Sequence, residues 1–543
     1  YNARLDLLSD RVTRGLIMSN DKTVLAQTNV ASDGSEKRYY PYDYLFVHSV
    51  GYSGKNGKTG LESLANFYLL SSHVNLIEKT INEFQGKKNL GDNVITTLDV
   101  DLQQTASDAI GKHRGAVIVM EPDTGKILTM VSQPNFNANL VDERWAELIS
   151  PDNTKAQLVN RATQGLYPPG STFKMLTVLE YMKENPNTWQ DYVYNCNGSY
   201  QNGDYTIKCY HGTAHGAQNL IQAFANSCNG AFAEIGMQIN SEKFRALANQ
   251  MLFNSELPYT LPYNQSTFSL DGSSDDWEKL QTAIGQGKTQ ITPLHNLMIV
   301  SAIANGGTYT KPIFFTKILD RNGKILIDNE PETRQALKDS TAYLLTSAMQ
   351  DVMQSNTMYT RSGSGVKSTG TTAAIPNMSC AGKSGTTTSN VDVWFVGFTP
   401  YYTAGIWGGC DNNQPLKGGT VSNGGTSYHK RIWRNIMTRV HESLSDPGFT
   451  VPDSIETAEV CRKSGKLPVS GVCSSDPRGT AVYTEYFAKG TVPTETCDHH
   501  TRVTICSASG GISTAFCPTN QQISKTVMVV PEDGGETDDS RFS

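Results

Sequence analysis

The sequence predicts an α/β (α+β) protein in which a central domain, a mostly antiparallel sheet flanked by helices, lies between a small N-terminal domain and a Cys-rich C-terminal extension. Three changes of texture carry that expectation. Residues 1–92 are short strand-like and helical pieces broken by Gly, Asn and Lys, as in residues 51–60 (GYSGKNGKTG). Residues 93–447 alternate helical and strand patterns, and residues 448–543 are rich in Pro, Gly, Ser, Thr and Cys. The length of 543 residues suits several domains.

Within the central region, residues 116–120 form an apolar strand pattern. They are followed by the turn EPDTG and a second strand pattern over residues 126–132, which reads as an antiparallel hairpin. Residues 391–398 (VDVWFVGF) and 402–407 repeat that reading. The last residues, PEDGGETDDSRFS, are acidic and poor in apolar side chains, so they are expected to be mobile. No repeat of fixed period is evident.

A net charge of −6 without a basic block excludes a nucleic-acid footprint. No apolar run approaches the roughly 18 residues that span a bilayer. The chain opens on Tyr1 with no signal segment, and its first residues read like the middle of a protein, so a leader or anchor is expected to precede them. Of ten cysteines, Cys461, Cys473, Cys497, Cys506 and Cys517 crowd the tail, which fits disulfides in an oxidising, extracytoplasmic setting or reduced thiols of a surface protein.

The chemistry is concentrated in three short motifs. Residues 167–174 read YPPGSTFK, followed by MLTVLEYMKEN. Pro168 and Pro169 cannot lie inside a helix, and the apolar spacing that follows predicts a helix starting near Ser171. A helix start favours developing negative charge, so Ser171 is placed as a nucleophile. Lys174 lies one turn on, and a lysine in a dry pocket can activate a serine hydroxyl. Alone, S-x-x-K more often marks an ordinary helix cap. A second copy, Ser364 to Lys367, sits in a Gly/Ser stretch and reads as loop.

The second motif is Ser227–Cys228–Asn229. Serine enzymes built on S-x-x-K carry S-x-N as their second element. Ser227 would relay a proton to the leaving group, and the Asn229 amide would meet a substrate amide. The third is Lys383–Ser384–Gly385–Thr386, ahead of a strand. Lys383 supplies positive potential, and Ser384 and Thr386 supply hydroxyl donors for a substrate carboxylate. Gly385 allows close approach of an extended peptide. The Ser171 and Thr386 N–H groups would form an oxyanion hole. Each motif is common by itself; the ordered set is specific.

Carried by these motifs, the sequence resembles the penicillin-binding protein family, and its class B serine D,D-transpeptidases in particular. TTLDVDLQQTASDAI (96–110), RGAVIVMEPDTGKILTMVSQPNFNANL (114–140), NRATQGLYPPGSTFK, GQGKTQITPLHNLMIVSAIANGG and KSGTT share the family's texture. So does the opening NARLDLLSDRVTRGLI. Ser384 stands where Thr is more usual. The tail, CRKSGKLPVSGVC and TEYFAKGTVPTETCDHH, resembles tails of other penicillin-binding proteins, bifunctional ones included.

The resemblance implies a β-lactamase/transpeptidase-like fold and a bitopic protein on the outer face of the cell membrane. It implies that Lys174 takes the Ser171 proton, that Ser171 attacks the D-Ala–D-Ala carbonyl of a peptidoglycan stem peptide, and that a neighbouring amine resolves the acyl-enzyme. β-Lactam antibiotics are expected to acylate Ser171, and a membrane glycan polymerase is the expected partner. No cofactor is required.

Rival readings are a D,D-carboxypeptidase, a β-lactamase-like hydrolase, and a non-catalytic β-lactam sensor or scaffold. Class A β-lactamases need a glutamate for deacylation, and no E-x-x-x-N lies between Ser227 and Lys383. The first 92 residues are too short for a glycosyltransferase domain. Between the first two motifs, Cys196, Cys209, His211, His215 and Cys228 can supply soft ligands for a structural zinc, the proposed set being Cys196, Cys209, His215 and Cys228. A Cys196–Cys209 disulfide or buried thiols fit the same residues. His499 and His500 beside Cys497 read as solvated histidines before they read as ligands.

Overall fold

The computed structural model describes residues 10–74, 76–354, 357–359, 365–411, 414–416, 428–477 and 479–528. Its centre is a five-stranded antiparallel sheet. In chain order its strands are β1 (Gly115–Met120), β2 (Ile127–Gln133), β3 (Ala381–Thr386), β4 (Asp392–Phe398) and β5 (Thr403–Gly409). Their spatial order is β2-β1-β5-β4-β3, which leaves β3 on an edge. Both hairpins read from the sequence are present, β1 with β2 and β4 with β5.

Every residue of β1, β4 and β5 is buried. A sheet covered on both faces loses the alternation of a half-exposed one, which explains the near-continuous apolar runs. One cover is α5 (Pro293–Ala304), apolar almost all round and buried along nearly its whole length. The other is the pair α1 (Val100–Ile110) and α7 (Tyr428–Val440), packed on β2 and β5. Between these lie α2 (Lys174–Glu184), α3 (Leu220–Ala225), α4 (Asn229–Gln238) and α6 (Asp339–Met353).

The N-terminal strands at residues 17–18, 24–30 and 36–39 join a six-stranded sheet completed by Asn93–Thr96 and the hairpin Phe315–Leu319/Ile325–Asp328. That sheet draws on both sides of position 92, so the first 92 residues do not close it alone. Buried Glu62 ties its layers together, accepting from Arg14 and Arg38 at 2.6 Å each.

The C-terminal extension is two β-hairpins, β6 (Ile455–Cys461) with β7 (Val482–Ala488), and β8 (His500–Cys506) with β9 (Gln522–Met528). The first docks on the central domain through α6, where Tyr486 meets Tyr343 edge-on at 5.2 Å. Two expectations change here. All ten cysteines are unbonded, so the tail cysteines form no disulfides. Gly365–Lys367 is a short strand against Thr357–Tyr359 rather than loop, and Ser364 lies outside the described residues. The acidic terminus, 529–543, also lies outside them. No helix among the described residues is long and apolar enough to cross a membrane.

Candidate active site

Ser171 lies in a single 3-10 turn, Gly170–Phe173, that runs straight into α2 at Lys174. The expected helix start is therefore a tighter turn first and an α-helix three residues later. Buried contacts fix this turn. Trp394 of β4 donates to the Pro168 carbonyl at 2.9 Å, and Asn296 of α5 donates to the Thr172 hydroxyl at 3.1 Å. Thr172 in turn donates to the Pro169 carbonyl at 2.8 Å. Gly170 has φ +54°, a conformation that a residue with a Cβ adopts only under strain.

The turn sits directly on the edge strand. A Cβ at Gly170 would lie 3.1 Å from the Thr386 carbonyl oxygen, and one at Gly385 would lie 2.9 Å from the Pro169 oxygen and 3.0 Å from Thr172 Cγ2. Gly385 is thus required by the packing of the Ser171 turn on β3, a reason the motif alone did not reveal. This contact sets the Ser171 and Thr386 backbones beside each other, as a two-donor oxyanion hole needs. Gly385→Ala should force the turn off the strand, lowering the acylation rate by about 10- to 100-fold and costing about 1–3 kcal/mol of stability. Stopped-flow acylation and thermal melts check both.

Two lysines then converge on one serine. Lys174 Nζ donates to the Ser227 carbonyl at 2.8 Å, to Asn229 Oδ1 at 2.7 Å and to Ser227 Oγ at 3.4 Å. Lys383 Nζ reaches Ser227 Oγ at 3.0 Å and the Ser384 carbonyl at 3.1 Å. Both lysines are 0 % exposed. Their ammonium ends lie over aromatic rings, Lys174 over Phe232 at 5.2 Å and Lys383 over Phe224 at 5.5 Å. Two dry cations this close disfavour being charged together. Burial pushes Lys174 down to about 8. Burial, then the charges of Lys174 and Lys430, holds Lys383 well below the usual lysine range.

Ser227 occupies the tight link between α3 and α4 with φ +57°, a strained conformation for a residue with a Cβ. Its N–H donates to the Phe224 carbonyl at 3.0 Å and that of Cys228 to the Ala223 carbonyl at 2.9 Å. Such strain persists where surroundings over-determine it, and here it aims the Ser227 hydroxyl between the two amines. Asn229 departs from its expected role. Its oxygen accepts from Lys174, and its amide donates to the Lys208 carbonyl at 3.0 Å, so in this state both ends of the amide are engaged within the protein. Lys383 likewise points inward at Ser227.

Cys228 extends inward from the same motif and accepts from the Ala231 N–H at 3.5 Å as the cap of α4. Its Sγ lies 3.7 Å from Cys209, Cys209 lies 3.6 Å from Cys196, and Cys196 lies 3.4 Å from His215 Nδ1. The four ligand atoms fall within 4.8 Å of one another, all on buried residues. His211 is exposed and is not part of the group.

With this geometry in view, comparison with known protein families matches residues 115–438 to the penicillin binding protein transpeptidase domain. The chain belongs to this family. Residues 14–94 match the penicillin binding protein A dimerisation domain, and residues 451–502 match the C-terminal domain of penicillin-binding protein 1A. Penicillin-binding protein 1A of Clostridium botulinum is 34% identical over 236 residues, 44% of this chain and 26% of that protein. The peptidoglycan D,D-transpeptidase PbpA of Mycolicibacterium smegmatis is 29% identical, over 68% of this chain and 78% of its own. Among solved structures, the imipenem acyl-enzyme complex of penicillin-binding protein A from M. tuberculosis aligns with TM-score 0.68 at 25% identity, covering 79% of this chain and 99% of that one. The chain spans about a quarter of the length of the Clostridium relative.

In this penicillin-binding protein, sequence reading missed Trp394, Asn296 and Lys430. Each acts from an element remote in sequence. Only Trp394, in a strand pattern adjoining the third motif, carried any local signal.

Proposed function

We propose that this chain is a class B peptidoglycan D,D-transpeptidase with Ser171 as nucleophile. The observation that carries the reading is the seating of the Ser171 turn on the edge strand β3 while Lys174 and Lys383 meet at Ser227. Lys174, in its proton-free form, accepts the Ser171 hydroxyl proton as Oγ attacks the carbonyl of the penultimate D-Ala. The Ser171 and Thr386 N–H groups hold the oxyanion. Ser227, bridged to both amines, passes a proton to the departing D-Ala, and an amine of a second stem peptide then takes the acyl group. The edge of β3, unpaired among the described residues, accepts the donor peptide as an added strand, with Ser384 and Thr386 toward its carboxylate. The relative solved as an imipenem acyl-enzyme supports β-lactams as covalent inhibitors. Peptidoglycan as the substrate supports a location on the outer face of the cell membrane, and the partner inferred there is a membrane glycan polymerase.

Intact-protein mass spectrometry with penicillin, followed by peptide mapping, tests the site: the adduct should fall on Ser171. Feeding a D-Ala–D-Ala peptide with and without an amine acceptor separates transpeptidase from carboxypeptidase. Hydrolysis alone, with no amide product, would reject the transpeptidase reading.

We also propose that Cys196, Cys209, His215 and Cys228 hold a structural zinc. Sulfur–sulfur spacings of 3.6–3.7 Å match the edge of a tetrahedron with Zn–S near 2.3 Å, about 3.8 Å. The ion would cross-link the strands and turn at residues 193–219 to the second motif, and thereby steady Ser227 and Asn229. Cys228→Ser should lose one zinc by elemental analysis and slow acylation on the order of tenfold to a hundredfold by loosening that motif. A protein that keeps its zinc after this change would remove the assignment.

A further inference from the structure

We propose that the C-terminal extension carries a second, separate metal site, a structural zinc held by Cys461, Cys473, Cys497 and His500. These residues lie on three different segments: the end of β6, the loop after it, and the entry to β8. Their ligand atoms nevertheless come within 4.8 Å of one another, and all four residues are buried. His500 Nδ1 is 3.4 Å from both Cys461 Sγ and Cys497 Sγ. This overturns the expectation of solvated tail histidines for His500, because the return strand β8 folds its ring inward.

The surroundings are those of a ligand set. His500 Nε2 pairs with Asp476 Oδ2 at 2.8 Å, with side-chain exposures of 0% and 1%. A carboxylate on the far nitrogen holds the ring in the tautomer whose near nitrogen presents its lone pair, the usual support of a zinc-bound histidine. The Val469 N–H points at Cys473 Sγ at 3.3 Å. Cys461 opens a tight turn in which its N–H donates to the Lys466 carbonyl at 2.7 Å and the Gly465 N–H returns to the Cys461 carbonyl at 2.8 Å. The Leu467 N–H donates to the Glu495 carbonyl at 2.9 Å, and the Cys497 N–H donates to the Leu467 carbonyl at 2.8 Å. The segments are thus pre-set around one point.

Energetics favour a metal over a packed core or a disulfide. The local cluster consists of Cys461, Cys473, Ala481 and Cys497, with Val469 and Val482 against it. So few apolar atoms cannot hold a small module, and modules of this kind rely on a staple. A disulfide would use two of three cysteines and leave a third thiol and a buried histidine facing it. Three sulfurs and one imidazole nitrogen complete a tetrahedral structural zinc site. The second hairpin repeats the same turn at Cys506, where the Cys506 N–H donates to the Gly511 carbonyl at 2.8 Å and the Gly510 N–H to the Cys506 carbonyl at 2.7 Å. Its only other cysteine is Cys517, so that turn lacks the three cysteines gathered at Cys461.

The full chain, purified under reducing conditions without chelator, should hold two zinc ions by elemental analysis. Cys473→Ser and Cys228→Ser should each hold one, and the double variant none. X-ray absorption of the Cys228→Ser protein should then report about three sulfurs near 2.3 Å and one nitrogen near 2.0–2.1 Å. Asp476→Asn keeps every ligand, so it guards against a variant that merely misfolds; it should bind zinc about 10- to 100-fold more weakly in chelator competition. A zinc content unchanged in Cys473→Ser, a single zinc in the wild type that Cys228→Ser removes, or a disulfide within the tail of the reduced protein would overturn the proposal.

Discussion

Ser171→Ala should abolish covalent labelling by penicillin and reduce peptide cross-linking on the order of 10⁴- to 10⁶-fold, because it removes the hydroxyl carried by the turn that is seated on β3. The turn is held by Gly170, Thr172, Trp394 and Asn296, and none of these contacts uses the Ser171 hydroxyl. Stability should therefore change by less than about 0.5 kcal/mol. That separation gives the test its force: a folded protein with an unchanged melting temperature and no adduct identifies the nucleophile. An adduct surviving at the wild-type rate, on any side chain, would refute the assignment.

Lys174→Met should slow acylation by about 10²- to 10⁴-fold, the usual value of a positioned base. Methionine keeps the packing under Phe232 and removes the amine. The pH profile distinguishes a base from a structural cation. The active form is the proton-free amine, so the wild-type acylation rate should climb as pH rises through about 8 and fall roughly tenfold per unit below it. That limb reports the coupled pair Lys174 and Lys383. In Lys174→Met the limb should vanish along with most of the rate. A wild-type rate flat from about pH 6 to 9 would show that Lys174 does not act as the base.

Much of this site was legible because its chemistry is bound to local pattern. Two prolines ahead of a helical period announce a chain turning sharply into a helix, and that alone locates Ser171 and Lys174. Alternating apolar residues after KSGT announce the hairpin that carries Lys383 to Thr386. What escaped were roles set by distant partners. Nothing in S-C-N says that Asn229 will spend its oxygen on Lys174, or that Ser227 will adopt φ +57°. Gly385 looked like clearance for a substrate, whereas its hydrogen faces Pro169 and Thr172. The tail cysteines suggested disulfides, and His500 suggested solvent, since spacing along a chain does not reveal which loops return to a common point.

By itself, then, the sequence determined which residues could do chemistry and which elements bear them: a serine at a helix entry, an amine one turn further, a hydroxyl–amide pair in a turn and a hydroxyl-rich edge strand. Only the tertiary structure decided what each of them faces. It turned Lys383 inward to share Ser227 with Lys174, and it gathered two sets of three cysteines and a histidine. The physical reason is that helices, strands and turns follow from neighbours within about one turn or one pleat, while burial of a charge and convergence of ligands depend on segments that meet only after the sheet has closed.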